Sequence, residues 1–269
     1  MKRLIIRPGA VGDFIVSLPA IECLCPAEIW AAEPNVPLAR RVAARARSIA
    51  STGLDLLELG EPDPRLLESL RGFDSIVSWY GAGRPEFRQT VAALALPCHF
   101  FTALPGDGSG RHAADFYLDQ VRGISPCASD GIPRIPCPAG RGCHAVIHPF
   151  AGSRKKRWPM QRFREVARRL GERMAVEWCA GPDDELPEAR RFADLYELAC
   201  WLATARLYIG NDSGPTHLAA AAGTPVVALF GPSAPAIWSP RGPRVAVAHA
   251  PSIEMISVEQ VVRLAEDML

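Results

Sequence analysis

The sequence predicts an α/β protein built from two parallel-sheet domains. Three observations carry that prediction. Apolar runs of strand length alternate with helical patterns along most of the 269 residues, and such alternation builds βαβ units. Each half places glycine-containing turns at the ends of its predicted strands, where open α/β sheets bind ligands. Between the halves, residues 126–142 hold Pro126, Pro133, Pro136 and Pro138 with several glycines and little periodicity, which reads as a linker. The expected division is a first domain over 1–125, the linker, a second domain over 143–256 and a final helix over 257–269.

The composition bounds the function classes. The chain is 48% hydrophobic and 22% charged, with a formal net charge of +1. That is a soluble globular composition, and no global charge calls for nucleic acid. Arginines are dense at Arg40–Arg47 and Arg162–Arg173; both runs read as solvated helix faces. No apolar run reaches about 18 residues, so no membrane-spanning helix is expected. Met1-Lys2-Arg3 leads straight into Leu4-Ile5-Ile6, a strand's worth of apolar residues and not a signal peptide. A cytoplasmic location is therefore expected. Of the eight cysteines, Cys23 and Cys25 form CxC and no CxxC occurs. In a reducing compartment they are expected as core or surface thiols.

In the first half, Lys2–Ile6 is the first predicted strand. Arg7 to Asp13 is a glycine-containing turn, and Phe14–Leu24 a helix with Phe14, Leu18 and Ile21 on one face. Gly9 and Gly12 allow close approach to the backbone. Their spacing is GxxG, so the dinucleotide fingerprint is absent. Asp13, in the first helical turn, either favours the helix dipole or serves as a general base. Strands are then predicted at Glu28–Ala32, Ser48–Ser51, Ser75–Trp79 and His99–Thr102. Helices are predicted at Val36–Ala46, Arg65–Leu70, Pro85–Leu94 and Ala113–Val121. Residues 106–110 read as a loop.

The second half opens with a strand at Cys143–His148. The loop from Pro149 to Arg157 puts small residues before the four cations Arg154, Lys155, Lys156 and Arg157. It is either an anion cradle or an exposed basic loop. Trp158-Pro159 opens a helix to Glu172, and Met174–Cys179 is a strand. The acidic turn from Gly181 to Glu185 either takes ribose hydroxyls or is merely solvated. A helix at Leu195–Ala205 leads to the most informative stretch. There Leu207–Ile209 is a buried strand, Gly210 to Pro215 dense turn chemistry, Thr216–Ala222 a helix and Val226–Phe230 a second buried strand. The N–H groups of Gly214, Thr216 and His217 are expected to face a crevice and suit a phosphate. Asp212 and Ser213 serve equally well as caps of the helix. The loop from Gly231 to Pro235, a strand at Val245–Ala248 and a helix at Val258–Leu269 complete the chain.

The segments LIIRPGAVGDFIVSLPAI, IHPFAGSRKKRWP and YIGNDSGPTHLAAAAGTPVVALFGPSAP, in that order, resemble the ADP-heptose:lipopolysaccharide heptosyltransferase family, glycosyltransferase family 9. The resemblance covers both ends and nearly all of the second half. It implies a GT-B fold, two Rossmann-like βαβ domains facing each other across a cleft. The first domain would take the acceptor, the second the nucleotide sugar, and the final helix would cross back to the first domain. It implies an inverting transfer with no metal and no cofactor, the ADP-sugar being a substrate. The implied partners are that donor, a glycan or glycolipid acceptor and the inner membrane surface, with no nucleic acid. Asp13 matches the family's catalytic base, and Lys156 its phosphate-binding lysine. Ala151 and Gly152 fall where hydroxyl residues are common. Asp212, Ser213, Gly214 and His217 match the donor signature, with Ser213 keeping the hydroxyl of the usual threonine. Glu185 matches a ribose-binding glutamate, and Ala193 and Leu195 fall where the base is held. Like charges repel, so Asp212 suits a sugar hydroxyl or backbone N–H groups better than a phosphate. The alternative is a non-catalytic nucleotide-sugar-binding protein, which has no need of a carboxylate at Asp13.

Overall fold

A computed structural model describes residues 1–60, 62–106, 110–138, 140 and 142–269. Most of the loop expected at 106–110, and residues 139 and 141 of the expected linker, lie outside the described residues. Backbone contacts divide the chain into two units. The first is Met1–Ser109 with Ala113–Asp130, and the second is Gly110–His112 with Gly131–Leu269.

The first unit runs β1 (Arg3–Arg7), α1 (Val11–Leu24), β2 (Glu28–Ala31), α2 (Val36–Val42), β3 (Arg45–Ser48), α3 (Pro64–Arg71), β4 (Ser75–Ser78), α4 (Pro85–Ala93), β5 (Cys98–Phe100) and α5 (Ala113–Arg122). Its strands form one parallel sheet in the order β3-β2-β1-β4-β5. Strand β1 is buried along its whole length, as expected when helices cover both faces of a parallel sheet. The order reverses between β1 and β4, so the turn after β1 lies at the sheet's switch point.

Two expectations change here. The strand expected at Ser48–Ser51 lies earlier, at Arg45–Ser48, and Ile49–Ser51 is a 3₁₀ turn. The reason is the Glu28 carboxylate, 6% exposed, which Arg47 reaches at 2.9 Å and Arg45 at 3.8 Å across the β2–β3 pair. Of the arginines in the Arg40–Arg47 run, only Arg40 and Arg41 are helical; in the second run Arg162, Arg164, Arg168 and Arg169 lie on the helix Met160–Gly171. The second change concerns cysteine. Cys23 and Cys127, 104 residues apart in sequence, form a disulfide. It ties the last turn of α1 to the chain beyond α5. Six cysteines are free.

The second unit runs β6 (His144–His148), α6 (Met160–Gly171), β7 (Ala175–Trp178), α7 (Leu195–Ala203), β8 (Leu207–Asn211), α8 (Gly214–Ala221), β9 (Val226–Phe230), α9 (Pro235–Trp238), β10 (Val245–His249) and α10 (Val258–Asp267). Its parallel sheet has the order β10-β9-β8-β6-β7, with the switch point between β6 and β8. The expected linker is not a free tether. Ile135 is buried and donates its N–H to Ala221 O at 2.9 Å, and Tyr196 Oη donates to Pro136 O at 3.0 Å. Apolar Ile135 gains by lying on the second unit. The final helix packs on α6. Val261 and Ala265 of α10 are fully buried in one core with Phe163 and Val166 of α6. Its apolar stripe is thereby used within the second unit. Among the described residues, no helix is long and apolar enough to cross a membrane.

Candidate functional site

The site of the second unit is built on the loops that follow β6 and β8, the two strands flanking the switch point. Strand β8 extends through Asn211, so Gly210 and Asn211, expected in the turn, are strand residues. Asn211 is fully buried and joins the two loops. Its Oδ1 accepts from Trp158 N at 3.1 Å, and its Nδ2 donates to Pro149 O at 2.8 Å. Both amide ends are therefore satisfied without solvent. At Gly210 a Cβ would lie 2.7 Å from Tyr208 Oη. Its absence lets the buried Tyr208 hydroxyl meet Thr216 Oγ1 at 3.2 Å, and Thr216 also bonds Ser213 Oγ at 3.2 Å.

These supports hold a charged cluster. Lys156 Nζ donates to Asp212 Oδ2 at 2.6 Å, and the Asp212 side chain is only 7% exposed. Asp212 N–H is fixed to Leu229 O. His217 Nε2 lies 4.0 Å from Asp212 Oδ1, but this contact is not an ion pair at neutral pH. Burial pushes the His217 pKa down to about 4, against the attraction of Asp212 and with the help of the charges on His112 and Lys156. Burial dominates because the imidazole has no exposed face through which water could support a charge. The His148 imidazole is driven the same way, chiefly by burial.

No side chain caps α8, so the capping role open to Asp212 and Ser213 is not the one they have. The Thr216 and His217 N–H groups both turn to Ser213 O and do not face a crevice as expected. Gly214 N–H, the first of the helix, has no intrahelical partner.

Beside the cluster lies a pocket of ≈ 330 Å³, within the range of small-molecule sites. Ala151, Gly152, Leu195, Ser213 and Gly214 line it, as does the apolar set Phe150, Phe192, Leu198 and Pro215. Of the expected donor-site residues, Lys156, Asp212, His217, Glu185 and Ala193 are not part of its lining. Glu185 and Ala193 are exposed. The acidic turn instead sends in Asp184, whose Oδ2 accepts from Gly181 N at 2.9 Å and whose Oδ1 lies 4.0 Å from Arg157 Nη2. The turn folds on its own carboxylate, which places Asp184 in the lining. Sequence reasoning also missed Phe192 and the joining role of Asn211, while Arg157 belongs to the expected anion cradle. Phe192 carried a signal, an aromatic residue just before a helix at a strand-end loop. The lining thiol Cys179 is pushed up to about 12 by burial and is inert as a nucleophile.

In the first unit, Gly9 has φ +114, and a Cβ there would press on the Asp13 side chain at 3.3 Å. Gly12 and Asp13 belong to the first turn of α1. Asp13 Oδ2 accepts from Ala10 N at 3.3 Å, and Asn35 Nδ2 holds Gly9 O at 3.1 Å.

Known proteins share this design. Residues 128–265 match the model of glycosyltransferase family 9 (heptosyltransferase). Lipopolysaccharide heptosyltransferase 1 of Escherichia coli K12 is 27% identical over 154 residues, 52% of this chain and 47% of the relative. Lipopolysaccharide heptosyltransferase 3 of the same strain is 32% identical over 144 residues, 47% of this chain and 42% of the relative. The chain thus spans about half the length of the curated relatives it matches. Two solved structures share the fold. One is E. coli heptosyltransferase WaaC with ADP, with TM-score 0.76, 17% identity and 100% of both chains covered. The other is E. coli ADP-heptose lps heptosyltransferase II, with TM-score 0.77, 18% identity and coverage of 100% and 98%. The two parallel-sheet units agree with the expected GT-B architecture. With the family model matching more than half of its 269 residues, the chain belongs to glycosyltransferase family 9, the heptosyltransferase family.

Proposed function

We propose that the chain is an inverting, metal-independent glycosyltransferase that moves a heptose from an ADP-sugar to a lipopolysaccharide-type acceptor in the cytoplasm. The observation that carries this reading is the Lys156–Asp212 pair beside an apolar pocket at the β6/β8 switch point. The relatives support it: one solved neighbour holds ADP and another ADP-2-deoxy-2-fluoro heptose.

The residues divide the chemistry. Phe192, Leu195 and Leu198 give the base an apolar seat, and Asp184 accepts from ribose hydroxyls. Lys156, Arg157 and the Gly214 N–H face the diphosphate. Lys156 keeps donors to spare after its bond to Asp212. In the first unit Asp13 takes the acceptor's hydroxyl proton as that oxygen attacks the anomeric carbon. The bond from that carbon to the diphosphate oxygen breaks, and ADP leaves with the electron pair. Lys156 and Arg157 then meet the charge that grows on the leaving phosphate. Fixed cations in this role do the work a divalent metal would do elsewhere.

A specific observation favours a second reading. Asp13 already accepts from Ala10 N–H, and a helix cap needs no more than that. A non-catalytic nucleotide-sugar binder would keep such a cap. Single-turnover transfer from ADP-heptose by Asp13→Asn separates the two. Asn preserves the cap but cannot take the proton. Loss of rate on the order of 10²–10⁴-fold, with ADP affinity unchanged, supports the base. A rate within a few-fold of wild type sinks the base assignment, and a wild type that binds ADP-heptose but transfers to no acceptor favours the binder.

A further inference from the structure

Arg7 is the last residue of β1, and its side chain is 1% exposed. Its guanidinium makes three hydrogen bonds, all to neutral acceptors. Nε donates to Ser17 Oγ at 3.0 Å, Nη2 to Asp13 O at 2.9 Å and Nη1 to Ala103 O at 3.3 Å. The Tyr117 ring lies 4.6 Å from it and the Trp79 ring 5.6 Å. Among the described residues, no carboxylate forms an ion pair with it. A buried cation without a counter-ion is a heavy cost. An apolar side chain would fill the same space without it.

The contacts converge on one turn. Arg7 leads into the Pro8–Ala10 turn, and its guanidinium reaches past that turn to the backbone carbonyl of Asp13 itself. Ser17 is one helical turn further along α1, and its Oγ donates to Phe14 O at 2.8 Å. The Ala103 carbonyl is shared with Tyr117 Oη at 2.9 Å. The first turn of α1 is thus gripped from behind by a charged fork, whose hydrogen bonds are stronger than neutral ones. The Asp13 carboxylate is left pointing at Ala10 N–H. Burial pushes the Tyr117 hydroxyl up, with Arg7 acting to lower it and Asp13 to raise it, so both charges are felt at one phenol.

We propose that Arg7 is the positioning residue of Asp13. It locks the first turn of α1 in the geometry that proton removal requires. The inference rests on the reading of Asp13 as the base.

The test compares Arg7→Met, neutral and of similar length, with Arg7→Lys, which keeps the charge and one donor. The probes are ADP-heptose and lipopolysaccharide lacking its heptoses. Arg7→Met is expected to lower the transfer rate at saturating donor on the order of 10²-fold, the cost of a misplaced reacting group. KM for ADP-heptose and ADP affinity stay at wild-type values, because the donor residues belong to the second unit. Arg7→Lys recovers part of the rate. Amide hydrogen exchange at Ala10–Phe14 rises in Arg7→Met and falls back in Arg7→Lys, while the rest of the first unit keeps its protection. A folded Arg7→Met with wild-type rate and wild-type exchange at Ala10–Phe14 overturns the proposal. So does a rate loss matched by an equal rise in KM. A wild-type rate in Asp13→Asn would instead strike the base assignment, and exchange at Ala10–Phe14 would still report what Arg7 holds.

Discussion

Replacing Lys156 by Ala removes two things at once. One is a donor to the diphosphate. A charge-assisted hydrogen bond contributes about 1.5–3 kcal/mol, so ADP should bind roughly 10- to 150-fold more weakly. The other is the counter-ion of Asp212, which sits 2.6 Å from Lys156 Nζ and is 7% exposed. Unpaired, that carboxylate opposes an incoming anion in a region where water screens it poorly. The loss in Lys156→Ala should therefore fall at or beyond the upper end of that range. The double variant Lys156→Ala/Asp212→Asn, with the second charge removed, should regain about 1 kcal/mol or more of ADP affinity. Lys156→Arg keeps the charge and should lose least. A second readout follows from His217. Lys156 is one of the groups that lower its pKa, so the imidazole should titrate higher in Lys156→Ala, as followed by NMR. The assay is calorimetric titration with ADP at low and high salt. Wild-type affinity in Lys156→Ala would refute the assignment of Lys156 to the donor site. A double variant no better than the single would refute the role given to the Asp212 charge.

Other predictions follow from burial and covalent structure. His217 is pushed down from 6.5 to about 4, so the folded state stays neutral where the unfolded chain takes a proton. Its contribution is fully present above about pH 6.5 and is lost as pH falls toward about 4, up to roughly 3 kcal/mol. His148 acts in the same direction. Urea unfolding of wild type and His217→Gln should show a stability gap that narrows with acid, and a pH-independent gap would contradict the burial argument. Cys127→Ser should cost about 2–4 kcal/mol by freeing the loop that the disulfide closes. Reductant should lower the wild-type urea midpoint comparably, and identical midpoints with and without it would show that the bridge does not form in solution.

Much of the architecture was legible in the residues because burial writes itself into composition. Leu4-Ile5-Ile6 and Val226–Phe230 read as buried strands, since covered parallel strands tolerate apolar residues on both faces. The loops carrying Lys156 and Asp212 were legible for a similar reason. Strand-end turns need glycine and proline, and anion sites need cations.

What the residues alone could not settle was anything set by contacts between distant segments. That Lys156 spends one bond on Asp212, 56 residues away, has no local signature. Nor does the place of Asp184 in the pocket lining, which follows its bond to Gly181 N–H. Strand β3 moved to Arg45–Ser48 because a buried carboxylate on β2 needed cations opposite it. The final helix buries Val261 and Ala265 because the apolar face of α6 is there to receive them. Arg7 read only as the first residue of the turn after the first strand, and the folded chain makes it the last residue of β1. Only the folded chain places Asp13 O, Ser17 Oγ and Ala103 O around it. Local pattern determines which segments become strands and helices; pairing of buried charges and polar groups is a property of the assembled core, where each must find its partner or pay the cost of desolvation.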